Sequence, residues 1–90
     1  MKADIENLFD EANNQILNKN YEKAEGLLLE IIKMEPKHYP SYEKLSQLES
    51  AKQNSKKAVF YLKKYLKYNN QNPDIWNQIG NIYFDLKDFK

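Results

Sequence analysis

Trp76-Asn77-Gln78-Ile79-Gly80-Asn81-Ile82-Tyr83 sets the register of the whole chain. An aromatic is followed, after two intervening residues, by an aliphatic and a glycine, and after two more by a tyrosine. Trp76, Ile79, Gly80 and Tyr83 fall at helical spacing and share one face of an α-helix. A shift of 34 residues, from Trp76 back to Tyr42 and again to Leu8, superposes the apolar skeleton without a gap. Ala12, Ser46 and Gly80 then share a small slot, and Tyr21, Ser55 and Phe89 a turn slot. Ala24 coincides with Ala58, Leu28 with Leu62, Ile31 with Tyr65 and Ile32 with Leu66. The small residue of one helix and the alanine of the next let two antiparallel helices approach closely. Larger residues around them fill the groove between that pair and the following one.

This pattern resembles the tetratricopeptide repeat, W-x2-L-G-x2-Y, then A-x3-F, then P, over a period of 34 residues. Trp76, Ile79, Gly80 and Tyr83 occupy the first set of slots, with Ile for Leu. Ala24-x3-Leu28 and Pro36 match the second half, with Leu for Phe. Glu11 departs from the aliphatic slot, Gln15 and Glu49 from the tyrosine slot, and Lys19, Gln53 and Lys87 from the turn glycine; Asn70 replaces the closing proline of the second copy. The resemblance covers the whole chain. It implies an all-α fold, a right-handed α-solenoid of antiparallel helix pairs with five helices and about two and a half repeats. One domain spanning 1–90 would hold repeat one at about 5–38, repeat two at about 39–72 and an incomplete last repeat at 73–90. A generic antiparallel helical bundle is the competing architecture, since short loops between helices suit both.

The local signals place the elements. Ile5, Leu8, Phe9, Ala12, Ile16 and Leu17 form the stripe of a helix over 4–17, with Asp4 placed to accept from the first free amides. Asn18-Lys19-Asn20 is a turn, because Asn tolerates the left-handed region. Helix two runs over 21–34 with Ala24, Leu27, Leu28, Ile31 and Ile32 inward, and Pro36 ends it. Pro40 rigidifies the connection to helix three, expected over 41–51 with Tyr42, Leu45 and Leu48 inward. Ser55 caps helix four, expected over 55–69 with Ala58, Val59, Tyr61, Leu62, Tyr65 and Leu66 inward. Pro73 opens helix five, expected to run to Leu86. Asp88-Phe89-Lys90 reads as a turn toward a sixth helix.

Ninety residues with 30% charged side chains and a net charge of +1 argue for neither a nucleic-acid binder nor a membrane-surface protein. All 14 basic residues are Lys, so no Arg offers bidentate capture of a carboxylate or phosphate. Cysteine is absent, which removes disulfides and thiolate metal sites. Residues 1–6 lack a signal-peptide core, and no run approaches the roughly 20 apolar residues of a membrane span. A soluble cytoplasmic protein without membrane insertion is expected. His38 stands in a Lys-His-Tyr-Pro loop with no accompanying acid or Cys pattern, and Gly26 and Gly80 cannot build a phosphate loop. Neither catalysis, a metal nor a cofactor is expected.

In the family that the chain resembles, the first helix of each pair lines a concave wall on which an extended peptide or a helix docks. The resemblance carries that role to Phe9, Asn13 and Ile16, to Glu43 and Gln47, and to Asn77, Asn81 and Phe84. It implies a scaffold for protein–protein contacts. Asn13, Gln47 and Asn81 share one slot, a ladder of amides able to pair with a peptide main chain. Some chaperone-binding members grip a C-terminal carboxylate with a lysine and an asparagine; Asn13 matches the asparagine, but Phe9 stands for the lysine, so no such clamp is expected. Helix five carries apolar residues on more than one stripe, unlike a capping helix. Trp76, Ile79, Tyr83 and Leu86 are therefore expected to form a self-association edge giving a homodimer, unless the chain is the front piece of a longer array. Helix one is acidic and helix four basic. The second functional reading is an RNA-binding module using Lys56, Phe60, Lys63 and Lys67 of the lysine-rich segment 55–69.

Overall fold

Five helices follow one another in the computed structural model, which describes the backbone of residues 2–88 and the side chains of residues 4–85. They are α1 (Lys2–Leu17), α2 (Tyr21–Met34), α3 (Tyr39–Ala51), α4 (Ser55–Tyr68) and α5 (Pro73–Asp88), and no strand occurs among the described residues. Each helix packs on its neighbours in chain order. The closest associations are within the pairs α1/α2 and α3/α4, with α2/α3 and α4/α5 joining one pair to the next. This is the stacked arrangement of a helical solenoid.

The repeat is written in the backbone as well as in the side chains. After α1, the amide of Lys19 donates to the carbonyl of Ile16 and that of Asn20 to Gln15, at 3.0 and 2.8 Å. After α3, thirty-four residues on, Gln53 donates to Ser50 and Asn54 to Glu49, at 2.9 and 2.8 Å. Both are Schellman turns, in which the residue after the helix adopts the left-handed conformation. That residue is Lys19 (φ 64°) or Gln53 (φ 62°). The turn therefore places its left-handed residue at the motif's glycine slot, and not at the flanking asparagines as composition suggests. Keeping a side chain there costs about 1 kcal/mol relative to glycine. The amides of Glu35 and Asn69 close α2 and α4 in the same matched way, each donating at 2.8 Å to the carbonyl four residues back.

Helix starts account for the other boundary differences. α1 begins at Lys2, so Asp4 lies in its first turn, where its charge favours the helix dipole. α3 begins at Tyr39, because Pro40 in the first turn has no amide that a helix would need. Asn54, one residue before Ser55, occupies the cap position of α4. At α5, the Oδ1 of Asn72 accepts from the amide of Asp74 at 3.0 Å and caps the helix. α5 reaches Asp88, and Phe89 and Lys90, the expected approach to a sixth helix, lie outside the described residues.

The core is continuous. Ile5 and Ala12 of α1 meet Ala24, Leu28 and Ile31 of α2; Tyr42, Leu45 and Leu48 of α3 meet Val59, Tyr61, Leu62 and Tyr65 of α4; Ile75 and Ile79 join from α5. Tyr42 anchors the connection between pairs by donating its hydroxyl to the carbonyl of Pro36 at 2.8 Å. Its ring also stacks on Tyr68 at 6.1 Å. Leu17 is a departure from the expected stripe, since it ends α1 beyond the reach of α2 and is 80% exposed. No helix among the described residues is long and apolar enough to cross a membrane.

Candidate protein-binding faces

The first helices of the repeats present the residues assigned to a concave wall unequally. Gln47, Asn77, Asn81 and Phe84 are exposed, and among the described residues the three amides make no side-chain hydrogen bond. Glu43 is half-buried. Phe9 and Ile16 differ from the expectation, because both pack against the core. Phe9 lies edge-on to His38 at 5.2 Å, so the loop between α2 and α3 covers it. Asn13 is half-buried, and its Oδ1 is buried with no hydrogen-bond donor. The face free for a ligand is thus concentrated on α3 and α5, and α1 supplies little of it.

The expected self-association edge divides as well. Ile79 is buried in the seam between α4 and α5, as Leu45 is buried one repeat earlier, and is not available to a second molecule. Trp76 and Tyr83 are exposed at 57% and 48%. Leu86 lies outside the residues whose side chains are described. Helical spacing alone could not separate these, because Ile79 and Trp76 differ only in which neighbour should cover them.

The lysine-rich helix does not present one patch. Lys56, Phe60 and Lys63 line a cleft of about 250 Å³ between α4 and α5, together with Val59 and Tyr83. Lys67 sits apart, its ammonium 5.6 Å from the ring centroid of Tyr68 and facing the loop that precedes α5. Within the cleft the Lys63 ammonium stands 5.9 Å from the Tyr83 centroid, and on the neighbouring surface Lys64 stands 5.6 Å from that of Phe60. Both geometries are cation–π contacts.

Two polar features were not legible from residue types. Glu49, at the tyrosine slot, is buried with neither carboxylate oxygen hydrogen-bonded, and it is held by charge alone. Lys52 lies 3.4 Å away and Lys57 of α4 4.0 Å away. Lys52 also donates to Glu25 of α2 at 3.2 Å, and that bond raises the pKa of its ammonium above the ordinary lysine value. Burial, with the fields of Glu49 and Glu25 added, pushes the Tyr61 phenol up. The group joins the start of α2, the end of α3 and the start of α4. A buried acid at a motif tyrosine position, followed three residues later by a lysine, is the signal that could have found it.

His38 is the second. Its Nδ1 is 2.7 Å from the Oγ of Ser41, and burial lowers its pKa below the ordinary 6.5 although Glu35 pulls the other way. A histidine at hydrogen-bond distance from a serine satisfies half of a nucleophile's geometry. Ser41, however, is fully buried at the start of α3, so no substrate carbonyl can reach its oxygen. The pair fixes the entry of α3. Among the described residues, no three His, Cys, Asp or Glu side chains gather as a metal ion would need.

Comparison with known proteins agrees with this geometry. A family model described as Tetratricopeptide repeat matches residues 39–72 and 73–90, together more than half of the chain. The crystal structure of the Sgt2 TPR domain from Aspergillus fumigatus superposes with a TM-score of 0.82 at 21% identity. The match covers 96% of this chain and 57% of that one, so the chain spans little more than half the length of that solved domain. No curated protein matches the sequence.

Proposed function

As this chain belongs to the tetratricopeptide-repeat family, we propose that it is a protein-interaction module that binds an extended peptide of a partner along α3 and α5. Folds of this family generally mediate contacts between proteins. The observation that carries the reading is the set of Gln47, Asn77, Asn81 and Phe84. All four lie on the first helices of successive repeats, all are exposed, and none is part of the packed core. Each amide offers two donors and an acceptor, which matches the alternating carbonyls and amides of an extended main chain. Phe84 adds an apolar anchor of the kind that dominates binding energy at interfaces.

The test is selection of binders from a random peptide library, followed by titration against variants. Gln47→Ala with Asn81→Ala should weaken a selected peptide by at least tenfold, and Phe84→Ala by a similar factor, with thermal unfolding unchanged because all three residues are exposed. Peptides that bind these variants as well as the parent chain would place the ligand elsewhere and reject the reading.

A further inference from the structure

We infer that the ligand face of the first helices selects a basic segment, an extended peptide of a partner protein that carries lysine or arginine. The inference rests on the peptide-binding reading above and names the chemistry of its partner. Charge is sorted between the two kinds of helix. The first helices α1, α3 and α5 hold nine acids and three lysines, whereas α4 holds five lysines and no acid. The acids of the first helices flank the amide ladder. Asp10 lies three residues before Asn13, Glu43 four before Gln47, and Asp85 four after Asn81, spacings that set each pair on one face of its helix. Glu6 stands one turn before Asp10 on α1. Glu6, Asp10 and Asp85 are exposed, and Glu43 is half-buried. Among the described residues none of the four takes part in an ion pair, and Lys44 is the one cation in the matching slots of the repeats.

Helix stability does not explain these positions. Glu6 and Asp10 are four residues apart, a like-charge pair that destabilises the helix carrying it. Asp85 stands in the last turn of α5, where a negative charge opposes the helix dipole. Asp4 and Asp74 are different, since each lies in a first turn and serves its own helix. The acids beside the ladder are kept against local stability, and a cationic ligand removes that conflict by pairing with them. α1 offers little contact surface, but its carboxylates add to the field of α3 and α5. An acidic segment is repelled by the same face. A second copy of the chain fits less well than a peptide. The basic element it could offer is α4, and four of its five lysines are already engaged, Lys57 with Glu49, and Lys63, Lys64 and Lys67 with the rings of Tyr83, Phe60 and Tyr68.

Two labelled peptides serve as probes, one alternating serine with lysine about a central leucine, the other alternating serine with glutamate. The lysine peptide should bind about tenfold more tightly or better, and its advantage should shrink as salt screens the face. Asp10→Lys/Asp85→Lys should remove the advantage, with circular dichroism unchanged. Glu22→Lys/Glu30→Lys changes the net charge equally but on exposed sites of α2, and should preserve it. Phe84→Ala should weaken the lysine peptide about tenfold and leave the preference for lysine in place. Equal binding of the two peptides, or binding of neither, overturns the proposal. So does an advantage that survives Asp10→Lys/Asp85→Lys, or that Glu22→Lys/Glu30→Lys removes as completely. In those cases binding that still depends on Phe84 leaves the peptide reading standing, whereas binding indifferent to Phe84→Ala rejects that reading and this proposal together. Self-association in light scattering that Asp10→Lys/Asp85→Lys abolishes would assign the face to a second copy instead.

Discussion

α3 and α5 occupy the same position in successive repeats, yet only one of them is finished. Tyr42 is 6% exposed and Trp76, in the same slot, is 57% exposed. Ser46 is buried and Gly80 open; Glu49 is buried and Tyr83 half exposed. Other slots behave alike in both helices. Leu45 and Ile79 are buried, and so are Ser41 and Ile75. The division follows the neighbours. Slots that face the preceding pair are covered in both helices, because α2 and α4 are there to cover them. Slots that face the following helix are covered on α3 by α4, and on α5 no described residue covers them. A repeat position thus specifies a direction. Its burial depends on what stands in that direction.

The largest effect should come from truncating the shared aliphatic slot. Leu45→Ala removes a side chain enclosed on all sides and should cost about 4 kcal/mol, whereas Ile79→Ala, beside the open edge where the surroundings can collapse, should cost about 2 kcal/mol. Urea unfolding measures both. Equal costs would mean that α5 is held as firmly as α3, and the contrast between them would fail.

The small slot gives an intermediate effect of opposite sign. A Cβ built on Gly80 meets nothing within 4 Å, so Gly80→Ala should raise stability by about 1 kcal/mol through helix propensity alone. Ser46→Gly, at the buried copy of the slot, should lower it. Thermal melts of the two variants should move in opposite directions. A destabilising Gly80→Ala would show that the slot is occupied in solution.

The smallest effect concerns how the two helices begin. His38 and Asn72 share a slot, and only His38 titrates. Its folded pKa is held below the ordinary 6.5 by burial. As pH falls through 6.5 the unfolded chain takes up the proton first, so stability is constant above that value and declines below it until the folded pKa is passed. His38→Asn, which copies the start of α5, should flatten the melting temperature between pH 7.5 and pH 5 relative to the parent chain. A parent chain whose stability does not fall over that interval would refute the assignment.

Most of the helical frame was legible because it rests on local rules. Asn18 to Asn20 and Gln53 to Ser55 mark turns, Pro36 ends a helix, and Pro73 opens one. The start of α3 was misplaced by two residues because Pro40 serves a connection and a first turn equally well. The candidate sites were less legible. Phe9 looks solvent-facing on α1 until the loop carrying His38 folds over it, and Tyr83 joins Lys56, Phe60 and Lys63 only because α5 packs on α4.

The chain's period, its helical content and the identity of its small and large slots follow from the residues alone, because spacing along a helix decides which side chains share a face. Tertiary structure decided which faces are covered. Burial of Glu49 between two lysines, exposure of Trp76, and the cleft between α4 and α5 all depend on which helix lies alongside, and that neighbour can be many residues away in the chain or absent from the described residues.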